Sequence, residues 1–319
     1  MAKVLFIESV HDILHKRLEG AGYTCDFRYE MTRVQLLEIA SSYEGVVVRS
    51  RIKLDREFID AAPNLRFIAR SGSGLENIDL DYAQSKGISV YNSPEGNRDA
   101  VGEHAVGMLL MLLNNLRQAD ADVRAGRWPR EENRGSEIAG KTVGIIGYGV
   151  MGSALAQKLS GFGARVIAHD KYKSRYGDAA AREVSLEVLK AEADIVSLHL
   201  PLNDETHYYA DASFFNSFAK PIYFINTARG KNTDTQALVD ALKSGKVRGA
   251  CLDVIEYEKA SLEGLEQAPS LTAMRELICM SNVVLSPHIA GWTHESYEKL
   301  SSVLADKILG VEDGEEVKK

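Results

Sequence analysis

The 319-residue chain predicts an α/β protein with two separate parallel sheets. Three observations carry that prediction. Short β-branched runs alternate with helical patterns along the chain, as they do when crossover helices join parallel strands. A long helical stretch, 98–125, interrupts the alternation, and a fresh strand follows it at Thr142. The glycine spacing Gly147-Tyr-Gly149-Val-Met-Gly152 then opens the second unit.

Taken in order, 4–7, 23–27, 46–49, 65–70 and 88–91 read as the strands of the first unit. Residues 14–19, 34–41 and 56–61 read as helices between them. The stretch 98–125 reads as one helix closed by Gly126. Thr142–Ile146 is the strand that leads into the glycines, 153–160 a helix, and Arg165–His169 the next strand. Later strands are 194–200, 222–226, 247–253 and 283–286, and 235–244 is a helix closed by Gly245. A last amphipathic helix, 293–310, is expected to return to the first unit and make it discontinuous. The tail 312–319 has the composition of a disordered segment.

The glycine segment is the most informative stretch. A first glycine permits a tight turn, a second lets a pyrophosphate approach the backbone, and a third lets helix and strand pack closely. The phosphates then lie on free N–H groups at a helix N-terminus, here from Gly147, Gly149, Val150, Met151 and Gly152. Eighteen residues beyond Gly152, Asp170 ends the second strand, where a carboxylate accepts from ribose hydroxyls. Strand, glycines, helix, strand and acid together predict dinucleotide binding.

Net charge is −7, which argues against nucleic acid as the main partner. Cys25, Cys251 and Cys279 include no CxxC pair and read as reduced, buried thiols of a cytosolic protein. No metal-ligand spacing occurs, and no signal peptide is expected: the apolar run 4–7 stops at Glu8. The most apolar stretch, 105–113, is too short to span a bilayer and reads as a buried helix.

A second glycine loop, Ser71-Gly72-Ser73-Gly74-Leu75-Glu76-Asn77, lacks the third glycine of a dinucleotide loop. It is either a cradle for a small anion or a plain turn. Three polar clusters stand at strand ends of the second unit: Asn226–Gly230, Asp253 with Glu256 and Glu258, and Ser286–Gly291. Ligands of open α/β sheets bind at the carboxyl ends of strands, so these clusters can share one crevice. Singly, Arg229 reads as a solvated cation, Glu258 as a surface acid and His288 as a turn histidine. Together they fit reduction of a 2-keto acid. A histidine supplies the proton, a carboxylate fixes its tautomer, and an arginine fork polarises the substrate.

On these motifs, with Ile78-Asp79, Asn92-Ser-Pro94, Ser197–Pro201 and Leu252-Asp253-Val added, the chain resembles the D-isomer-specific 2-hydroxyacid dehydrogenase family from about Val46 to Thr293. It is most similar to the D-3-phosphoglycerate dehydrogenase branch. The resemblance implies two doubly wound parallel-sheet domains. A flavodoxin-like substrate domain would take 1–97 and 291–319, and a Rossmann NAD-binding domain 98–290. It implies His288 as acid/base, Glu258 as its partner and Arg229 as the substrate-orienting arginine. It further implies Asp170 on the ribose, Asp253 on the nicotinamide amide and Ser73–Gly74 N–H groups on the substrate carboxylate. For 3-phosphoglycerate, the entry substrate of serine biosynthesis, it places Arg49 and Arg70 by the phosphate. The same strand-end charges read equally as solvated arginines.

The chain departs from the family at Lys259, where a proline usually follows the glutamate, and at Asn97-Arg98-Asp99-Ala100. Glu256 offers the same chemistry as Glu258. No regulatory serine-binding domain is expected. A cytoplasmic homodimer is expected, joined through the apolar positions Ala105, Met108, Leu109, Leu112, Leu113 and Leu116. The alternative functions are a glyoxylate or hydroxypyruvate reductase, and a nicotinamide-sensing, corepressor-like binding protein.

Overall fold

Unbroken burial along the central strands, in which neighbouring residues point to opposite faces, explains why this chain makes two sheets covered on both faces. The computed structural model describes residues 2–258 and 272–310. They divide into two units, 2–97 with 292–310 and 98–258 with 272–291. The expected disorder of 312–319 lies outside the described residues.

The first unit runs β1 (Lys3–Phe6), α1 (Ile13–Gly20), β2 (Thr24–Phe27), α2 (Arg33–Ile39), β3 (Gly45–Val48), α3 (Arg56–Ala61), β4 (Phe67–Arg70), α4 (Leu80–Ser85) and β5 (Ser89–Asn92). All its strand pairs are parallel, in the order β2-β1-β3-β4-β5. Leu5, Val46, Val48 and Ile68 enter one core, while Val4, Phe6, Val47 and Ala69 enter another on the opposite face. A period of two with both faces apolar is what a doubly covered parallel sheet requires.

The second unit runs α5 (Arg98–Leu113), α6 (Leu116–Arg124), β6 (Thr142–Ile146), α7 (Val150–Leu159), β7 (Arg165–His169), β8 (Arg182–Glu183), α8 (Leu186–Glu192) and β9 (Ile195–Leu198). It continues through α9 (Ala212–Asn216), β10 (Ile222–Asn226), α10 (Thr235–Lys243), β11 (Val247–Leu252), α11 (Thr272–Cys279) and β12 (Val283–Leu285). Its sheet is also wholly parallel, ordered β12-β11-β10-β9-β6-β7-β8. Counted within the unit this is the dinucleotide-binding order 3-2-1-4-5-6 with one strand added, and its direction reverses between β6 and β9. The last helix, α12 (His294–Leu309), belongs to the first unit, where Leu304 and Ala305 join its core.

Several sequence expectations are corrected. The stretch 98–125 is two helices, not one. It breaks at Asn114-Asn115, where Asn115 takes the left-handed conformation (φ 51°), which asparagine tolerates well. Five of the six positions expected at a dimer surface, Ala105 to Leu113, are buried in the unit's own core. Only Leu116 of that set is exposed. The cysteines are free, but Cys279 is exposed and Cys25 half-buried. Helical spacing on α11 turns Ala273, Met274 and Leu277 inward and leaves Ile278 and Cys279 outward. Among the described residues no helix is long and apolar enough to cross a membrane.

Candidate active site

Each glycine of the 147–152 loop meets a different physical demand. Gly147 takes φ +92°, and a Cβ there would fall 2.4 Å from the carbonyl oxygen of His199. Gly152 packs α7 onto the turn: a Cβ would lie 2.1 Å from the oxygen of Gly147. At Gly149 nothing stands within 4 Å of a Cβ, so the N-cap of ten-residue α7 faces open space. No side chain caps that end, and α7 starts at Val150, three residues earlier than its apolar pattern suggests. Together with the buried, unpartnered Oγ1 of Thr227 after β10, this cradle fits a dinucleotide.

Asp170 follows β7, and its carboxylate is set by backbone donors. Oδ2 accepts from the Tyr148 N–H at 2.9 Å, and Oδ1 from those of Tyr172 (3.0 Å) and Lys173 (3.2 Å). Two of the three nearby cations that could receive a 2′-phosphate have other partners. Lys171 pairs with Glu205, and Lys173 Nζ donates to the Tyr148 carbonyl at 2.8 Å. We expect kcat/KM for NADH to exceed that for NADPH on the order of a hundredfold, since like-charge juxtaposition costs several kcal/mol. Asp170→Ala should narrow the ratio. Equal values for the wild-type enzyme would refute the role given to Asp170.

The three polar clusters interlock. Asn226, fully buried, accepts from the Ala228 N–H and donates to the Arg229 carbonyl, so it folds the loop that presents Arg229. A Cβ on Gly230 would fall 1.9 Å from the carbonyl oxygen of Ile255, so glycine there lets this loop touch the 253–258 segment. Arg229 Nη1 donates to its neighbour's carbonyl at 2.7 Å. Glu258 Oε2 lies 2.6 Å from His288 Nδ1, while its Oε1 accepts from the Ile255 N–H. Glu256 is turned elsewhere, accepting from the Tyr208 hydroxyl and the Thr235 N–H of α10. Glu258 is therefore the carboxylate that meets the histidine. Its contact on Nδ1 leaves Nε2 as the atom that can give or take a proton.

Two other histidines stand near these strand ends. Desolvation pushes the pKa of His199 down to about 4, so it is a neutral imidazole, not an imidazolium acid, at neutral pH. His104, on α5, contacts Ser286 and was not legible as a site residue. The sequence reading also missed the engagement of Asp253. Its carboxylate, 1% exposed, accepts from the Ser286 hydroxyl and from the Ile289 and Ala290 N–H groups.

In the first unit, Arg49 and Arg70 stand at the carboxyl ends of β3 and β4, where Val48 pairs with Arg70. The Arg49 guanidinium stacks over the Trp292 ring at 4.4 Å. Arg70 folds back over its own loop, since a Cβ on Gly72 (φ +145°) would meet Arg70 Nη1 at 1.5 Å. The loop's carbonyls are engaged: the Ser93 N–H donates to Gly72 and the Asn92 amide to Ser73. Among the described residues, the N–H groups of Ser73 and Gly74 donate to no protein atom.

The model of the family described as "D-isomer specific 2-hydroxyacid dehydrogenase, NAD binding domain" matches residues 106–290. A D-3-phosphoglycerate dehydrogenase of Archaeoglobus fulgidus is 33% identical over 98% of this chain and 58% of its own length. A hydroxypyruvate reductase of Thermotoga maritima is 35% identical over 86% of each chain. Among solved structures, D-lactate dehydrogenase from Aquifex aeolicus, complexed with NAD and lactic acid, is 29% identical with a TM-score of 0.80. That match covers 97% of this chain and 96% of the other.

Proposed function

The chain belongs to the D-isomer-specific 2-hydroxyacid dehydrogenase family, and from that premise we propose that it interconverts a D-2-hydroxy acid and its 2-keto acid with NAD(H). The observation that carries the reading is the His288–Glu258 pair, 2.6 Å apart, in the unit that also holds the glycine cradle. NAD(H), which the 147–152 glycine loop and Asp170 would hold, would supply or accept the hydride. His288 Nε2 moves the proton on the substrate oxygen, and Glu258 stabilises the imidazolium through Nδ1. Arg229 polarises the carbonyl or holds the carboxylate of the substrate. Within the first unit, the Ser73 and Gly74 N–H groups are proposed as donors to an anionic group.

Within that class we favour a phosphorylated three-carbon acid, 3-phosphoglycerate and its 2-keto counterpart. Two arginines at adjacent strand ends offer the charge that a dianion requires, and the 33% identity to a D-3-phosphoglycerate dehydrogenase points the same way. The chain spans 58% of that relative's length, whereas it spans 86% of the hydroxypyruvate reductase. A reductase of unphosphorylated acids is therefore the second reading, and the stacking of Arg49 on Trp292 favours it. Replacing Arg49 or Arg70 with alanine should raise KM for 3-phosphohydroxypyruvate about tenfold, one charge-assisted hydrogen bond contributing about 1.5–3 kcal/mol. The KM for glyoxylate, which has no distal group, should hardly move. Equal losses on both substrates would assign the arginines to structure or to the carboxylate.

We also propose self-association through the α6 surface. Leu116 and Val123 are exposed on α6, and Trp128, after the helix ends, is 76% exposed. Sedimentation velocity at micromolar concentration should give a dimer of the 35.1 kDa chain. A monomer that persists at that concentration would end this proposal.

A further inference from the structure

We propose that His104 and Ser286 are positioning residues for the acid/base pair, acting through the carboxylate of Asp253. The inference rests on the reading of His288 and Glu258 given above. Asp253 is buried, and an ionised carboxylate in that place requires several hydrogen bonds. It takes them all from the loop that carries His288. Oδ1 accepts from the Ser286 hydroxyl (2.6 Å) and the Ile289 N–H (2.9 Å), and Oδ2 accepts from the Ala290 N–H (2.8 Å). The main-chain oxygen of Asp253 accepts the N–H of His288 itself at 2.7 Å.

His288 takes the left-handed backbone conformation, φ +56°, which only a few per cent of residues other than glycine adopt, histidine more readily than most. Such a conformation persists where the surroundings over-determine it. Here three successive N–H groups, those of residues 288, 289 and 290, are tied to Asp253. The direction of the His288 ring toward Glu258 therefore depends on Asp253 being held still.

The Ser286 hydroxyl links Asp253 to His104. It has one proton, and the 2.6 Å contact with the carboxylate claims it. The 2.9 Å contact to His104 Nε2 must then be donated by the histidine, which fixes its tautomer. Without that donor the hydroxyl could turn toward Met108 Sδ, 3.6 Å away, and Asp253 would lose its shortest hydrogen bond. His104 Nε2 is also 3.5 Å from Asp253 Oδ1, so it stands close to the charge it helps to orient. The chain of donors runs His104 to Ser286 to Asp253, and Asp253 holds the backbone of the acid/base histidine.

The test uses the whole protein with NADH and hydroxypyruvate, and the variants His104→Leu, His104→Gln, Ser286→Ala and His288→Ala. His104→Leu and Ser286→Ala should each lower kcat about tenfold, a modest case of what misplacing a catalytic group costs. KM for hydroxypyruvate should stay within about twofold, since neither residue is assigned a contact with the substrate. The kinetic isotope effect with 4-deuterated NADH should rise, because a misaligned proton donor makes the chemical step more limiting. Loss of folded enzyme alone would lower kcat and leave the isotope effect unchanged. His104→Gln, which keeps an N–H donor, should retain at least half of the wild-type kcat. Wild-type kcat in His104→Leu, an unchanged isotope effect, or equal damage from glutamine and leucine would overturn the inference. If His288→Ala itself keeps normal kcat, the reading of the site falls, and this inference with it. If His288→Ala is inactive and His104→Leu is not, only this inference falls.

Discussion

Replacing His288 with alanine is expected to lower kcat about 10²–10⁴-fold, the usual contribution of a general acid, while NADH binding changes little. The expectation follows from the geometry of one ring. Glu258 holds Nδ1 at 2.6 Å, the ring remains partly open to solvent at 25%, and no other nearby histidine has a carboxylate so placed. Alanine at φ +56° is itself strained, so part of the loss could arise from the loop rather than from the missing imidazole. His288→Asn separates the two, because asparagine accepts the left-handed backbone and removes the acid/base group. Both variants should show the same loss of kcat and near-normal NADH affinity by fluorescence titration. An asparagine variant with near-wild-type kcat would remove His288 from the mechanism.

The second large effect belongs to Arg229. Its loop is fixed by Asn226 from within and by the close approach of Gly230 to Ile255 from outside, so its guanidinium has a defined station. A planar fork that meets a carboxylate or polarised carbonyl makes two charge-assisted hydrogen bonds. At about 1.5–3 kcal/mol each, their loss in Arg229→Ala should lower kcat/KM about 10²–10⁴-fold. Arg229→Lys keeps the charge and loses the fork, and should recover only part of that loss. Measured kcat/KM with one keto acid across the three proteins checks this. Lysine equal to arginine would show that only charge matters at this position.

The fold was legible because its signals are periodic and repeated. Strands 165–169 and 222–226 coincide with β7 and β10, since apolar β-branched and aromatic runs bounded by polar ends leave little choice. The break at Asn115 was not legible. The apolar pattern of Ala105–Leu113 continues into Leu116, and only tertiary contact turns the chain: Gly135 packs against the Leu113 carbonyl, to which the Ser136 N–H donates. The short helices α4, α8 and α9 were missed, although α3, of six residues, was read. Their N-caps, Asp79, Ser185 and Asp211, each accept from a backbone N–H three residues on, a signal that was present in the sequence.

At the site, motif chemistry named His288, Arg229 and Asp170, but it could not choose between Glu256 and Glu258. That choice depends on how the segment after β11 turns, and only the 2.6 Å contact to His288 makes it. His104 gave no sequence signal, because a histidine inside an apolar helix reads as a core residue. Its role is visible only through the Ser286 hydroxyl it touches. Arg70 illustrates the opposite case. Its position at a strand end was legible, while its fold back over Gly72 follows from a glycine conformation that no motif encodes.

The most direct test of the account is turnover by the unmodified protein. NADH oxidation is followed at neutral pH with 3-phosphohydroxypyruvate, hydroxypyruvate and glyoxylate, and kcat/KM is compared among them. The account predicts measurable reduction of 2-keto acids, with 3-phosphohydroxypyruvate the best of the three. A higher kcat/KM for hydroxypyruvate or glyoxylate would replace the phosphoglycerate reading with the reductase reading. No NADH oxidation with any 2-keto acid, by protein that binds NADH, would contradict the account at its centre.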